Sequence, residues 1–319
     1  MEDYPQSLVE FEDRFSSDRA CREYLFQLRW PDGFRCPQCG AAAKVWKLGT
    51  ELLQCSACDH QTTVTAGTVF QSTRKPLTVW FRAMWYVTSQ KNGASALGLK
   101  RVLRLRSYQT AWAWLHKLRR AMVRPGREKL SGWVEVDETW LGGLEEGVAG
   151  RKKGEKALIV VAAEADGEGI GRIRLRPIQD ASAGSLHAFI EDCVEPGSTI
   201  HTDGWQGYEG LGNKGYDREI SVLRGRRKEA SMHLPRVHRV VSLLKRWLMG
   251  THQGAVSHQH LAYYLDEFTF RFNRRKSNSR GKLFYRLVQQ AVATPPATYG
   301  TLVGPSKALR ARAQHVGGK

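Results

Sequence analysis

The stretch that most constrains the fold is Gly132 to Gly143, GWVEVDETWLGG, because it sets carboxylates along what reads as a β-strand. Apolar and polar residues alternate through it. Trp133, Val134 and Val136 are strand formers, and the glycine pair ends the run. Period two puts Val134 and Val136 on one face and Glu135 and Asp137 on the other. A buried carboxylate is costly unless paired or metal-bound, so Glu135, Asp137 and Glu138 each call for a partner. A second strand, in STIHTDGWQGY, finishes at Asp203, where Gly204 opens a turn. Two aspartates at strand ends far apart in the chain suggest one shared divalent metal.

The segments around these strands supply a topology. LIVVAAEA and IGRIRLRPI read as strands joined by a hairpin-type turn at Asp166-Gly167, SAGSLHAFIEDCV as a helix, and STIHTD as the next strand. Three strands, a helix and a strand is the order of an RNase H-like core with a mixed sheet. Its first and fourth strands are neighbours, so Asp137 and Asp203 are expected to meet at one rim of the sheet. Downstream, LPRVHRVVSLLKRWLMG reads as a helix with Pro235 in its first turn and Gly250 at its end. His238 and Lys245 lie seven residues apart on one face of it. A further helix, SHQHLAYYLDEFTFRFNRR, carries Glu267 and ends at Asn273-Arg274-Arg275.

Four of the six cysteines form Cys36-x2-Cys39 and Cys55-x2-Cys58, the spacing of a tetrahedral structural zinc site in a ribbon of short strands. Cys21 and Cys193 read as small buried hydrophobes. A ribbon this small has little core, so the metal should supply most of its folding free energy.

The net charge of +18 is unevenly spread. Residues 1–30 hold seven acids against four arginines, whereas residues 74–129 hold fourteen Lys and Arg against Glu128 alone. Such a concentration suits a surface that neutralises phosphates. The same region reads as helices, LTVWFRAMWYVTS, GASALGLKRVLRL and SYQTAWAWLHKLRRAM, the last two resembling a helix-turn-helix. In the last helix Ala111, Leu115, Leu118 and Met122 form an apolar stripe. Gln109, Trp112, His116, Lys117 and Arg120 are then expected to face DNA, as are Arg226 and Arg227 in a later basic loop. No apolar run is long enough to span a membrane, and the acidic start lacks the pattern of a signal peptide, so a cytoplasmic location is expected.

The ordered set RWPDGFRCPQCG, TAGTVF, WFRAMW, VEVDETWLGG, IGRIRLRPI, HTDGWQGY, LLKRWLMGTHQG, HLAYYLDEFTFRFNRR and GKLFYRL resembles bacterial insertion-sequence transposases that join a zinc ribbon to an RNase H-like DDE-type domain. The resemblance implies a multidomain α+β chain. Its parts are helices and zinc ribbon (1–70), a helix-turn-helix-like region (71–127), a catalytic domain (128–290) and a basic tail (291–319). It implies Asp137 and Asp203 as the first two members of a catalytic triad. The third falls at His238, where the family usually has Glu and some variants have Asn or His, with Lys245 seven residues on; Glu267 is the rival third ligand. Two Mg²⁺ or Mn²⁺ ions, double-stranded DNA ends and target as substrates, and a homo-oligomer holding two ends are implied with it. A regulator with a dead catalytic domain and a nuclease lacking strand transfer are the competing readings.

Overall fold

The structure, a computed structural model, describes residues 2–49, 51–124, 126–142, 156–221, 233–254 and 256–304. Its contacts divide the chain into two units, Met1–Arg124 with Ser277–Lys319, and Pro125–Lys276. Helices α1 (Leu8–Arg14) and α2 (Asp18–Arg29) open the first unit, each capped by a serine whose hydroxyl accepts a first-turn amide, Ser7 and Ser17. Strands β1 (Val45–Leu48), β2 (Leu52–Cys55) and β3 (Gln61–Thr63) form an antiparallel meander. Helices α3 (Leu77–Ser89), α4 (Ala96–Val102) and α5 (Tyr108–Ala121) follow.

The second unit is built on a five-stranded sheet. Its strands are β4 (Trp133–Leu141), β5 (Ala157–Asp166), β6 (Gly169–Ile178), β7 (Thr199–Thr202) and β8 (Asp217–Ile220), with helix α6 (Ala183–Cys193) between β6 and β7. The spatial order is β6-β5-β4-β7-β8. β4, β5 and β6 pair antiparallel, and β7 and β8 add in parallel on the far side of β4. This is the expected RNase H-like mixed sheet, with first and fourth strands side by side. The fifth strand, β8, is short and largely exposed, and its sequence carries no clear strand pattern.

Both sheet faces are covered. On one, Val134, Val136, Val160 and Ala162 pack with Leu186, Phe189 and Ile190 of α6. On the other, Ile159, Val161 and Ala163 pack with helices α7 (Pro235–His252) and α8 (Leu261–Phe272). Helix α7 runs two residues past Gly250, because Gln253 takes the left-handed cap conformation at φ 52. The edge strand β6 is held by the end of α8. Asn273 Oδ1 accepts the Ile173 N–H at 2.8 Å and its Nδ2 donates to the Ile173 carbonyl at 3.2 Å, while Arg275 donates to the carbonyls of Ile170 and Gly171.

The chain then returns to the first unit as α9 (Arg280–Ala293) and α10 (Tyr299–Val303). This differs from the domain bounds expected from the sequence, which kept residues up to 290 with the catalytic part. Phe284 of α9 is buried among Phe11, Phe15, Tyr24, Phe81 and Trp85, ring centroids 5.3 to 6.4 Å away. The aromatic core of the first unit is therefore incomplete without a helix that lies some 200 residues later in the chain (284 − 81 = 203). At Gly281 an added Cβ would sit 1.6 Å from the Pro5 carbonyl oxygen, so only glycine allows this approach. The ribbon, the helices and α9 make one unit.

The four ribbon cysteines converge with all sulfurs within 4.8 Å of one another. Cys36 and Cys58 sulfurs are 3.7 Å apart, and those of Cys39 and Cys55 are 3.9 Å apart. A tetrahedral zinc about 2.3 Å from each sulfur sets neighbouring sulfurs about 3.8 Å apart, so the cluster fits zinc. Cys21 and Cys193 are buried as expected, and burial pushes the Cys21 thiol up to about 12.

Two outcomes are expected. Cys55→Ser should lose bound zinc, about one per chain by elemental analysis, and lower the melting temperature. Asp266, on α8, has its carboxyl pushed up to about 6 by burial, partly offset by Arg127. A raised folded-state value means the fold loses stability as pH climbs from about 4 towards 6 and carries the full penalty above that. Asp266→Asn should thus stabilise by about 2–3 kcal/mol near neutral pH and by almost nothing near pH 4 in denaturant titrations.

Candidate active site

Strands β4 and β7 bring the two aspartates together. Glu135 pairs with His201 across the parallel ladder, and Asp137 and Asp203 each stand two residues beyond that pair. Both are half-buried, just past the point where the β4–β7 ladder ends; Asp137 itself lies mid-strand in β4 and not at the strand end expected from the sequence. Asp137 Oδ1 accepts the N–H of Glu138 at 2.9 Å, and Asp203 Oδ1 accepts the N–H of Trp205 at 2.9 Å. The Asp203 bond is an Asx-type turn that fixes the carboxylate at the strand end.

Glu138 points to the opposite face. There Tyr208, fully buried, donates its hydroxyl to Glu138 Oε2 at 2.8 Å. Burial, with the charges of Glu138, Asp137 and Asp203, pushes the Tyr208 phenol well above its ordinary value, so it stays a protonated donor. Three carboxylates thus act on one phenol. The loop after Asp203 is locked by Trp205, whose indole N–H donates to the Ala181 carbonyl at 2.8 Å. A Cβ on Gly207 would come 2.6 Å from that same oxygen, which explains the second glycine in HTDGWQGY.

Helix α7 lies along β4 on the Asp137 face. Glu135, 0% exposed, is the partner of its N-terminus. Its Oε2 accepts the N–H groups of Arg236 at 2.8 Å and Val237 at 2.9 Å, and its Oε1 accepts Arg236 Nη1 at 3.0 Å. The buried carboxylate on the core strand is therefore a helix cap drawn from 101 residues away. Farther along, Lys245 Nζ lies 3.4 Å from Thr139 Oγ1, two residues beyond Asp137 on the same face. Burial and the nearby Lys156 charge lower the Lys245 pKa. His238 is half-buried on the intervening turns, its carbonyl accepting the Ser242 hydroxyl at 2.9 Å.

Among the described residues, the four cysteines are the one group of three or more metal-type ligand atoms within 4.8 Å. Asp137, Asp203 and His238, expected to hold a metal, form no such group: the aspartates stand two residues beyond one ladder pair and His238 lies on the helix along β4. Their donor set, two hard carboxylates and an imidazole, suits Mg²⁺ or Mn²⁺. The rival Glu267 sits on α8, which packs on β6, two strands from β4. It is fully buried and paired with Arg271 at 2.9 Å.

The expected DNA-facing side of α5 needs correction. Gln109 is exposed, but Trp112, Lys117 and Arg120 are half-buried, and His116 is fully buried. Helices α4, α9 and α10 all pack on α5, and the Trp112 ring lies 4.1 Å from His116 and 6.2 Å from Tyr299. Burial also lowers the Lys117 pKa. Exposed cations near this helix include Arg101, Arg104 and Arg106, at the end of α4 and the turn after it. Arg226 and Arg227 lie outside the described residues. The arginines of IGRIRLRPI are structural: Arg172 pairs with Glu164 and Glu128, Arg174 is buried, and Arg176 pairs with Asp192 over the Phe189 ring.

Residues 129–273 match the model of the ISXO2-like transposase domain, and residues 16–61 match that of the transposase zinc-ribbon domain. An uncharacterized protein in transposable element ISH50 of Halobacterium salinarum is 28% identical over 277 residues, 81% of this chain and 91% of the relative. Among solved structures, the intasome of simian T-cell lymphotropic virus in complex with a PP2A regulatory subunit aligns over 63% of this chain and 74% of that one, at 13% identity and a TM-score of 0.32. The Mos1 transposase paired-end complex aligns over 67% and 75%, at 13% identity and a TM-score of 0.27. The chain thus carries a segment similar to a transposase zinc ribbon, followed by one similar to a transposase domain that contains both Asp137 and Asp203.

Proposed function

We propose that this chain binds the inverted-repeat ends of an insertion sequence in double-stranded DNA and cuts and rejoins strands at Asp137, Asp203 and His238. The observation that supports the reading is the parallel pairing of β4 with β7, which leaves Asp137 and Asp203 each two residues beyond one ladder pair, with a helix bearing His238 and Lys245 along β4. Divalent ions held by these three side chains would supply Lewis-acid activation of the attacking oxygen and neutralise charge at the phosphodiester. The carboxylates provide the oxygen donors that Mg²⁺ prefers, and the imidazole makes Mn²⁺ a good substitute. Lys245 acts as a fixed positive charge where a phosphoryl centre gathers negative charge. Tyr208 holds Glu138 by its proton.

Water attacks a phosphodiester at the element's end, forming one P–O bond as another breaks and freeing a 3′-hydroxyl. That hydroxyl then attacks a target phosphodiester in the same way, so no covalent enzyme intermediate is needed. Joining two ends calls for at least two copies of the chain, acting on the chromosome in the bacterial cytoplasm. The zinc ribbon is structural in this scheme. DNA phosphates contact the exposed Arg101, Arg104 and Arg106 in place of the buried face of α5.

The test is cleavage of labelled inverted-repeat ends with Mg²⁺ or Mn²⁺. Asp137→Ala should reduce cleavage to background while leaving end binding within about twofold. Cleavage that persists in this variant overturns the site, and binding without cleavage by the unaltered protein favours the regulator reading. The combined Arg101→Ala, Arg104→Ala, Arg106→Ala variant should weaken binding and reduce the slope of log affinity against log salt by about 2–3. An unchanged slope would remove these residues from the interface.

A further inference from the structure

A carboxylate that touches no reacting atom can still decide where the reacting groups stand. Helix α7 begins at Leu234-Pro235 with no side-chain cap of its own, so its first-turn amides depend on Glu135. The same carboxylate takes the Arg236 guanidinium, which reaches on to the carbonyls of Gly167 at 2.9 Å and Gly169 at 3.0 Å in the β5–β6 turn. One end of the helix is thereby fixed to two places on the sheet.

The other contact lies in step with it. From Arg236 to Lys245 the helix rises about 13–14 Å, and from Glu135 to Thr139 the strand advances about 13 Å. Glu135, Asp137 and Thr139 occupy alternate positions of one face, so the helix and strand run side by side with His238 between the two contacts. Most of the remaining contact surface of α7 is aliphatic, Val237, Val240, Leu244 and Leu248. Aliphatic packing resists sliding weakly compared with three directional hydrogen bonds to a buried charge.

We propose that Glu135 is a positioning residue that sets the register of α7 on β4, and with it the placement of His238 and Lys245 opposite Asp137. This rests on the transposase reading of the site. Asp137 and Glu135 share a strand face and divide the work: one faces the DNA chemistry and the other holds the helix that completes it. Glu135→Gln keeps the size and one acceptor, but turns an amide donor towards the Arg236 guanidinium.

The test has two arms. Hydrogen exchange of the α7 amides, which needs no activity, should quicken in Glu135→Gln while exchange in the first unit is unchanged. Glu135→Ala repeats the measurement in case the amide still caps the helix. Unchanged exchange in both variants overturns the proposal. In the cleavage assay, Glu135→Gln should slow the reaction about tenfold to a hundredfold at saturating DNA with binding intact. It should also add little to His238→Ala, since both then lose the same placement. Additive losses, or faster exchange with unaltered cleavage, would reduce Glu135 to a helix cap and overturn its positioning role. Failure of the unaltered protein to cleave would sink the transposase reading instead, and the exchange arm would still decide whether Glu135 holds the helix.

Discussion

The parallel ladder between β4 and β7 is the constraint on which the candidate site depends. A parallel pair needs a crossover, here supplied by the β5–β6 hairpin and α6, and that crossover separates Asp137 from Asp203 in sequence by 66 residues (203 − 137). The ladder removes that separation. Both carboxylates then stand two residues beyond the last pair of that ladder, half-buried, where charge is tolerable.

Charge on the rest of the strand is managed by direction. Along four residues of β4, Glu135 turns to a helix terminus, Asp137 stays half-buried on the same face, and Glu138 turns to a phenol in the opposite core. Each environment gives its carboxylate a different task although the three residue types are nearly the same. Tyr208 shows the cost of this crowding: burial, and then the three carboxylate charges, keep its phenol protonated, so it donates to Glu138.

Much of this was legible in the amino-acid sequence because it is local. Alternation and glycine punctuation located β4 and the turn after β7, and cysteine spacing located the metal cluster. What could not be read needed partners far along the chain. Glu135 looked like one more acidic residue beside Asp137, since its partner amides lie a hundred residues on. The inward turn of α5 escaped a two-sided helix reading because Trp112 and His116 fall on the polar side, yet His116 is fully buried and Trp112 half-buried where α9 and α10 pack. Helix α9 read as part of the neighbouring segment because only the aromatic rings around Phe284 show which core it fills.

The clasp on β6 bears on how copies of the chain can meet. An unpaired strand at the margin of a sheet invites another chain to extend it, and such addition leads to fibres or swapped dimers. Asn273 offers Ile173 the donor and acceptor that a neighbouring strand would offer, and Arg275 occupies the carbonyls beside it. The first half of this margin, Ile170 to Ile173, is therefore closed to sheet extension by the protein's own side chains.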